Sequence, residues 1–317
     1  MRYFVTGGAG FIGSNMTDRL LSLGNEVIVY DNFSTGRMEF LEEAHKNPKC
    51  TWIKGDCLDE DKLVSSMAGC DFVFHFAANA DVRMGCEHPK KDLEQNTVAT
   101  FHVLEAMRAN NIKKIAFSST GSVYGEAKII PTPEDGPFPI QTSLYGASKL
   151  ACEGLIAAYC EGFEFTSYIF RFVSILGERY THGHIFDFYR KLKEDESQLY
   201  VLGNGKQKKS YLYIGDCLEG MLTGVEKGGE GVNIFNLGTD EYCEVNDSIK
   251  WITKKLGVSP RLSYAGGERG WVGDNPFIYL DTKKIQNLGW KAEYTIREGV
   301  LKTVEYLEKN EWVFDVR

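Results

Sequence analysis

The 317-residue chain carries 36 Lys and Arg against 44 Asp and Glu, a formal net charge of −8, and 43% of its residues are apolar. This is the composition of an ordinary globular protein, and its acidic balance weighs against a nucleic-acid partner. No signal peptide and no apolar run of membrane-spanning length is present, and the eight cysteines form no C-x-x-C pair, so reduced thiols in a cytoplasmic protein without a structural metal are expected.

Residues 2–6 read as a short buried strand. It runs into Gly7-Gly8-Ala9-Gly10-Phe11-Ile12-Gly13 and then into residues 14–21, where apolar side chains recur at helical spacing. The glycines satisfy G-x-G-x-x-G from Gly8 and G-x-x-G-x-x-G from Gly7. Such a loop permits a tight turn and lets backbone N–H groups approach a pyrophosphate at a helix N-terminus. A second strand, 26–30, ends in Asp31, where a carboxylate accepts from ribose hydroxyls and repels a 2′-phosphate. Strand, glycine loop, helix and strand-terminal acid together predict NAD in preference to NADP, with Arg37 near enough in sequence to oppose that choice.

Residues 50–56 and 71–78 read as third and fourth strands, 96–107 as a helix and 114–120 as a fifth strand ending in Thr120. A Pro/Gly-rich loop follows over 130–139, then a helix over 145–159 and a sixth strand over 165–172. This alternation predicts an α/β doubly wound parallel sheet, with ligands at the carboxyl ends of its strands. Beyond Gly177 the alternation weakens. Residues 203–209 read as a turn with a basic run, and 263–281 as a glycine-rich loop. The expected division is a dinucleotide-binding domain over 1–173 plus about 211–240, and a smaller α/β substrate domain over 174–210 and 241–317. Tyr145 and Lys149, four apart, share one helix face. An ammonium beside a phenol favours the phenolate and lowers a pKa that starts near ~10, which makes Tyr145 a candidate general acid/base.

With these residues in place, the chain resembles the extended short-chain dehydrogenase/reductases, and within them the nucleotide-sugar epimerases. The similarity runs over nearly the whole length, on residues 6–13, Tyr30-Asp31-Asn32, Gly55-Asp56, His75-Phe76-Ala77-Ala78, Asn96, Phe117-Ser118-Ser119-Thr120, Val123-Tyr124-Gly125 and Tyr145-x-x-x-Lys149. The resemblance implies a Rossmann fold with an NAD site made of Gly7, Gly10, Phe11, Ile12, Gly13, Asp31, Asn32, Ser34, Thr35, Gly36, Asp56, Cys57, Phe76, Ala77, Ala78, Asn96, Ser118, Tyr145, Lys149, Phe172 and Ile175. Asn96 reads equally as a helix-capping or core-satisfying side chain. The implied chemistry is a transient oxidation. Tyr145 takes the proton of a sugar hydroxyl, at C4 in the epimerases, the hydride passes to NAD, and the keto sugar receives it back on its other face. Lys149 would hold the nicotinamide ribose and lower the Tyr145 pKa, and Thr120 would hydrogen-bond the sugar hydroxyl.

The substrate end departs from the family pattern. Where UDP-galactose 4-epimerases resemble R-[YF]-x-N, this chain has Arg171-Phe172-Val173-Ser174. Lys209 stands where an arginine commonly meets the diphosphate, keeping the charge without the bidentate fork, and Arg269 matches the other diphosphate arginine. Ser122, Ser174 and His184 are further candidate substrate contacts; His182 and His184 have no carboxylates beside them for a metal. Ile278 matches a position at which tyrosine narrows the pocket and a smaller residue leaves room for an N-acetyl group. Related dehydratases and decarboxylases carry an acid just after the catalytic Ser/Thr, whereas here Thr120 precedes Gly121 and Ser122, which favours epimerisation. The expectation is therefore 4-epimerisation of a UDP-hexose, with UDP-GlcNAc/UDP-GalNAc accepted as well as UDP-glucose/UDP-galactose. Another nucleotide-sugar epimerase, a reductase or a 4,6-dehydratase is the alternative, and the Tyr/Lys pair disfavours a non-catalytic dinucleotide sensor. The family's homodimer would pair the 96–107 and 145–159 helices with those of a second copy.

Overall fold

Strong β-formers placed between glycine turns build the strands of the computed structural model, which describes residues 1–79, 85, 87–137, 139–270 and 277–314. They are β1 (Arg2–Thr6), β2 (Glu26–Asp31), β3 (Cys50–Lys54), β4 (Phe72–His75), β5 (Lys114–Thr120), β6 (Thr166–Phe172), β7 (Ser174–Leu176), β8 (Gln198–Val201), β9 (Lys208–Lys209), β10 (Tyr211–Tyr213), β11 (Val232–Leu237), β12 (Cys243–Glu244) and β13 (Arg261–Tyr264). Seven make one sheet in the order β11-β6-β5-β4-β1-β2-β3, with each neighbouring pair parallel. The expected doubly wound sheet is therefore present. The chain winds outward in opposite directions from β1 and from β4, so the crevice for a ligand opens at the carboxyl ends of those two strands.

A parallel sheet must be covered on both faces, and its strands accordingly read as continuous apolar runs. Val5, Val29, Phe74 and Phe170 pack with Met16 and Leu20 of the helix Phe11–Ser22 on one face. Phe4, Ile28, Val73 and Ile115 pack with Val103 and Leu104 of Ala99–Ala109 and Ile156 of Leu144–Phe163 on the other. A third cluster joins the helices His184–Glu194, Val245–Leu256 and Ile296–Lys309 around Ile185, Tyr189, Ile249, Ile252, Val300 and Val304. Around it lie the short pairs β7·β10, β8·β13 and β9·β12.

Three of the differences in boundary from the sequence reading bear on the cleft. β3 stops at Lys54, because the Asp56 carboxylate folds back to accept from Leu58 N at 2.9 Å. β4 stops at His75, because the Ala77 amide turns to the Thr6 hydroxyl at 3.3 Å. The helix over 96–107 begins earlier, as Pro89–Asp92, and passes through a π turn, Leu93–Val98, before Ala99–Ala109; such π turns recur at functional sites.

Candidate active site

The carboxyl ends of β1, β2, β4, β5 and β6 open into one cleft of about 1400 Å³. Its first wall is the glycine loop. Gly7 has φ 65°, and a Cβ there would lie 2.6 Å from Ala77 N, while one at Gly13 would lie 2.2 Å from Gly7 O. Both contacts are with backbone, so only glycine keeps the loop this close. Gly10 caps the helix Phe11–Ser22 without a side-chain hydrogen bond, and Gly10, Phe11, Ile12 and Gly13 line the cleft. A helix N-terminus opening on a bare glycine cradle fits a pyrophosphate.

Asp31 follows at the end of β2, buried, accepting from Ala9 N at 3.0 Å and Phe33 N at 2.8 Å. Burial raises its pKa, and the two amides and the Arg37 guanidinium oppose that rise. Asn32 Nδ2 donates to Asp56 Oδ2 at 2.9 Å, joining the ends of β2 and β3. Asn32, Ser34, Thr35, Asp56 and Cys57 line this end of the cleft, and Phe76, Ala77, Ala78 and Ser118 its middle. Burial pushes the Cys57 thiol well above its usual range, so it is an apolar wall element.

The chemistry-bearing side chains sit beside β5. Ser143 caps the helix Leu144–Phe163 by accepting from Gly146 N at 3.0 Å, which sets Tyr145 in the first turn and Lys149 one turn on. Lys149 is 2% exposed; its Nζ donates to Ser118 O at 2.9 Å and lies 4.6 Å from the Phe117 ring centre. Burial lowers its pKa to about 8, with Cys152 and Glu153 opposing the shift. Tyr145 hydrogen-bonds Thr120, whose Oγ1 also accepts from Ser122 N at 3.1 Å. The Tyr145 pKa is raised, by burial first and then by the Asp92 carboxylate, with the Thr120 hydrogen bond opposing. This corrects the expected lowering by Lys149. In this geometry one lysine N–H donates to the Ser118 carbonyl, and the charge that acts on the phenol is the negative one of Asp92.

A family model described as the NAD dependent epimerase/dehydratase family matches residues 3–238. The chain belongs to this family. It is 34% identical to a putative UDP-glucose 4-epimerase of Methanocaldococcus jannaschii, over 96% of this chain and 98% of the relative. Among solved structures it is similar to a UDP-galactose 4-epimerase (38% identity, TM-score 0.87, 98% of this chain and 100% of the other). It is likewise similar to the UDP-glucose 4-epimerase of Thermotoga maritima with UDP-glucose (30% identity, TM-score 0.88, 98% and 100%).

In this epimerase-family chain the same cleft gathers most of the residues singled out by sequence. Thr120, Ser122, Tyr145, Lys149, Phe172, Ser174, Ile175, His184, Lys209 and Ile278 all line it. Three others stand outside the wall. Gly36 lies behind Asp31, where a Cβ would meet Oδ1 at 2.8 Å. Asn96 is 1% exposed; it accepts from Asn79 N at 2.7 Å and donates to Ser148 Oγ at 2.8 Å, so it ties the Asn79 backbone to the helix that carries Tyr145. Arg269 pairs with Glu126, although its neighbour Gly270 is in the wall. His184 is held through Nδ1 to the Tyr211 hydroxyl at 2.6 Å and Nε2 to Ser248 Oγ at 2.9 Å. Burial, with Lys209 adding, lowers its pKa to about 3, so the ring is neutral.

Sequence reasoning missed a buried polar frame under Thr120, Tyr145 and Lys149. Glu153, one turn beyond Lys149, pairs with Arg171 at 2.6 Å and accepts from Ser119. Arg171 Nη1 donates to the Tyr124 hydroxyl at 2.7 Å, and Tyr124 donates to Asn236 Oδ1 at 2.8 Å. The signal was an acid at helical spacing from Lys149, on the face that turns to the sheet.

Proposed function

We propose that this protein is an NAD-dependent UDP-hexose 4-epimerase acting through a transient 4-keto sugar. The observation that carries the reading is the meeting, in one cleft, of the bare glycine cradle with Thr120, Tyr145 and Lys149. Gly7, Gly10 and Gly13 would hold the pyrophosphate of NAD, Asp31 the adenosine ribose and Asp56 the adenine side. Lys149 would hold the nicotinamide ribose, with Phe172 and Ile175 near the nicotinamide. When bound, NAD supplies reversible redox chemistry at the sugar carbon.

Thr120 Oγ1 orients the C4 hydroxyl, and Tyr145 Oη takes its proton and later returns it. Burial and Asp92 disfavour the phenolate; the positive charge of the oxidised cofactor ring, when NAD is bound, would make it accessible. Gly121 favours epimerisation over elimination. A Cβ there would lie 2.6 Å from Ile278 Cγ2 and 3.2 Å from Phe172 O, so the carboxylate expected of a dehydratase has no room.

On the substrate side we assign Ser122, Ser174 and His184 to the sugar and phosphate region, and Lys209 with Arg269 to the diphosphate, Arg269 exchanging Glu126 for the phosphates. Ile278 leaves space for an N-acetyl group, so UDP-GlcNAc is a substrate beside UDP-glucose. The domain division is 1–173 with about 211–240 for the cofactor, consistent with β11 lying beside β6, and the remainder for the substrate. The protein pairs as a homodimer through the 96–107 and 145–159 helices, on which Phe101, Ala151, Gly154 and Ala158 are exposed. The test of the catalytic assignment is Tyr145→Phe. It should retain NAD while turnover falls by about 10²–10⁴-fold, and full turnover by this variant would refute the role.

A further inference from the structure

Ile278 belongs to a strap, residues 277–281, with two unlike sides. Its inner side meets the cleft: Ile278 rests on the backbone of Gly121 beside Thr120, and Leu280 is buried. The strap is tied to the loop after β5, because Thr132 N donates to Tyr279 O at 2.8 Å and Asp281 N to Thr132 O at 2.9 Å. Its outer side is aromatic. Phe277 and Tyr279 stack at 5.8 Å with ring planes 13° apart, and Tyr242 meets both edge-on, at 5.0 and 5.8 Å. Lys208 Nζ lies 4.9 Å from the Tyr242 ring centre and 5.5 Å from that of Phe277. Tyr242 leads directly into β12, which pairs with β9 in the register Cys243↔Lys209 and Glu244↔Lys208. One ring therefore touches the strap that carries Ile278 and is bonded in sequence to β12, the strand paired with the one that carries Lys209.

We propose that Tyr242, seated under Lys208, is a positioning residue for sugar recognition: its grip on Phe277 and Tyr279 holds Ile278 over Gly121 and so sets the width of the sugar pocket. This rests on the UDP-hexose 4-epimerase reading. Edge-to-face aromatic contacts and a cation over the ring favour a single geometry of the group. Tyr242 is itself 47% exposed, so its removal leaves the core intact. A wider pocket admits an N-acetyl group more readily and orients the smaller hexose less well. Discrimination by an apolar pocket changes by roughly 10–200-fold per methylene-sized change.

The experiment measures kcat and KM for UDP-glucose and UDP-GlcNAc with wild type, Tyr242→Ala, Tyr242→Phe, Ile278→Ala and the double variant Tyr242→Ala/Ile278→Ala, each with NAD. For Tyr242→Ala, KM for UDP-glucose should rise roughly tenfold, and the kcat/KM ratio of UDP-GlcNAc to UDP-glucose should rise by a similar factor. Tyr242→Phe should restore both. In the Ile278→Ala background, loss of Tyr242 should leave the ratio unchanged, because the two residues act on one wall. A wild-type ratio in Tyr242→Ala overturns the proposal, as does the same ratio change with Ile278 already removed. If the wild type epimerises neither sugar, the underlying reading has failed. The clamp is then judged by calorimetric affinities of the same two nucleotides for wild type and Tyr242→Ala: a shifted ratio supports it and an unchanged one overturns it.

Discussion

Replacing Lys149 by methionine should stabilise the fold at neutral pH while abolishing turnover. The ammonium is 2% exposed, and its pKa falls from an ordinary 10.5 to about 8, chiefly through burial. At roughly 1.4 kcal/mol per pH unit, that drop corresponds to a cost of about 3 kcal/mol for keeping the buried group charged. The folded pKa lies below the unfolded one, so between about pH 8 and 10.5 the unfolded chain binds more protons and stability rises with pH. The cost is fully present below pH 8 and gone above 10.5. Methionine fills similar space without charge, but it leaves Ser118 O, now bonded at 2.9 Å, without its donor, a loss of about 1 kcal/mol. Urea unfolding of wild type and Lys149→Met, both without NAD, should therefore find the variant about 2 kcal/mol more stable at pH 7. Its advantage should shrink by about 3 kcal/mol as the pH rises to 10.5. A difference that is constant with pH, or a variant that is less stable at pH 7, would refute the reasoning.

Gly121→Asp should cost about 1–3 kcal/mol through collision with Ile278 and yield no dehydrated product; adding Ile278→Ala should recover stability in a thermal melt, and no recovery would contradict the packing argument. Arg171→Met leaves the Glu153 carboxylate buried without its cation, a loss of about 3–5 kcal/mol, whereas Arg171→Met/Glu153→Met should lose less than that in urea titrations. NAD should bind the wild type at least roughly tenfold more tightly than NADP, because like charges set side by side repel, and Asp31→Asn should narrow the gap. Titration finding NADP equal or tighter for the wild type would count against Asp31 as the selector.

The parts that could be read from sequence are those whose physics is local. β1, the glycine loop and Asp31 follow one another within 31 residues, and their spacing alone brings them to one crevice. β7, β8, β9, β10, β12 and β13 are two to four residues long and pair with distant partners, as β8 does with β13, so a local apolar pattern could not announce them. The site divides in the same way. Tyr145 and Lys149 share a helix face as their spacing requires, but the rise in the Tyr145 pKa depends on Asp92, 53 positions earlier, and on burial. Asn96 was ambiguous because its role rests on Ser148 and the Asn79 amide. The position of Arg269 was hidden because its partner, Glu126, lies 143 residues away.

The most direct measurement is proton NMR of the purified protein with NAD and, in separate tubes, UDP-glucose and UDP-GlcNAc, without added reductant. The account predicts that the C4 epimer of each sugar nucleotide grows to an equilibrium mixture with no net change in NAD. Failure of both C4 epimers to form, or net consumption of a reduced cofactor as the condition for any product, would contradict it.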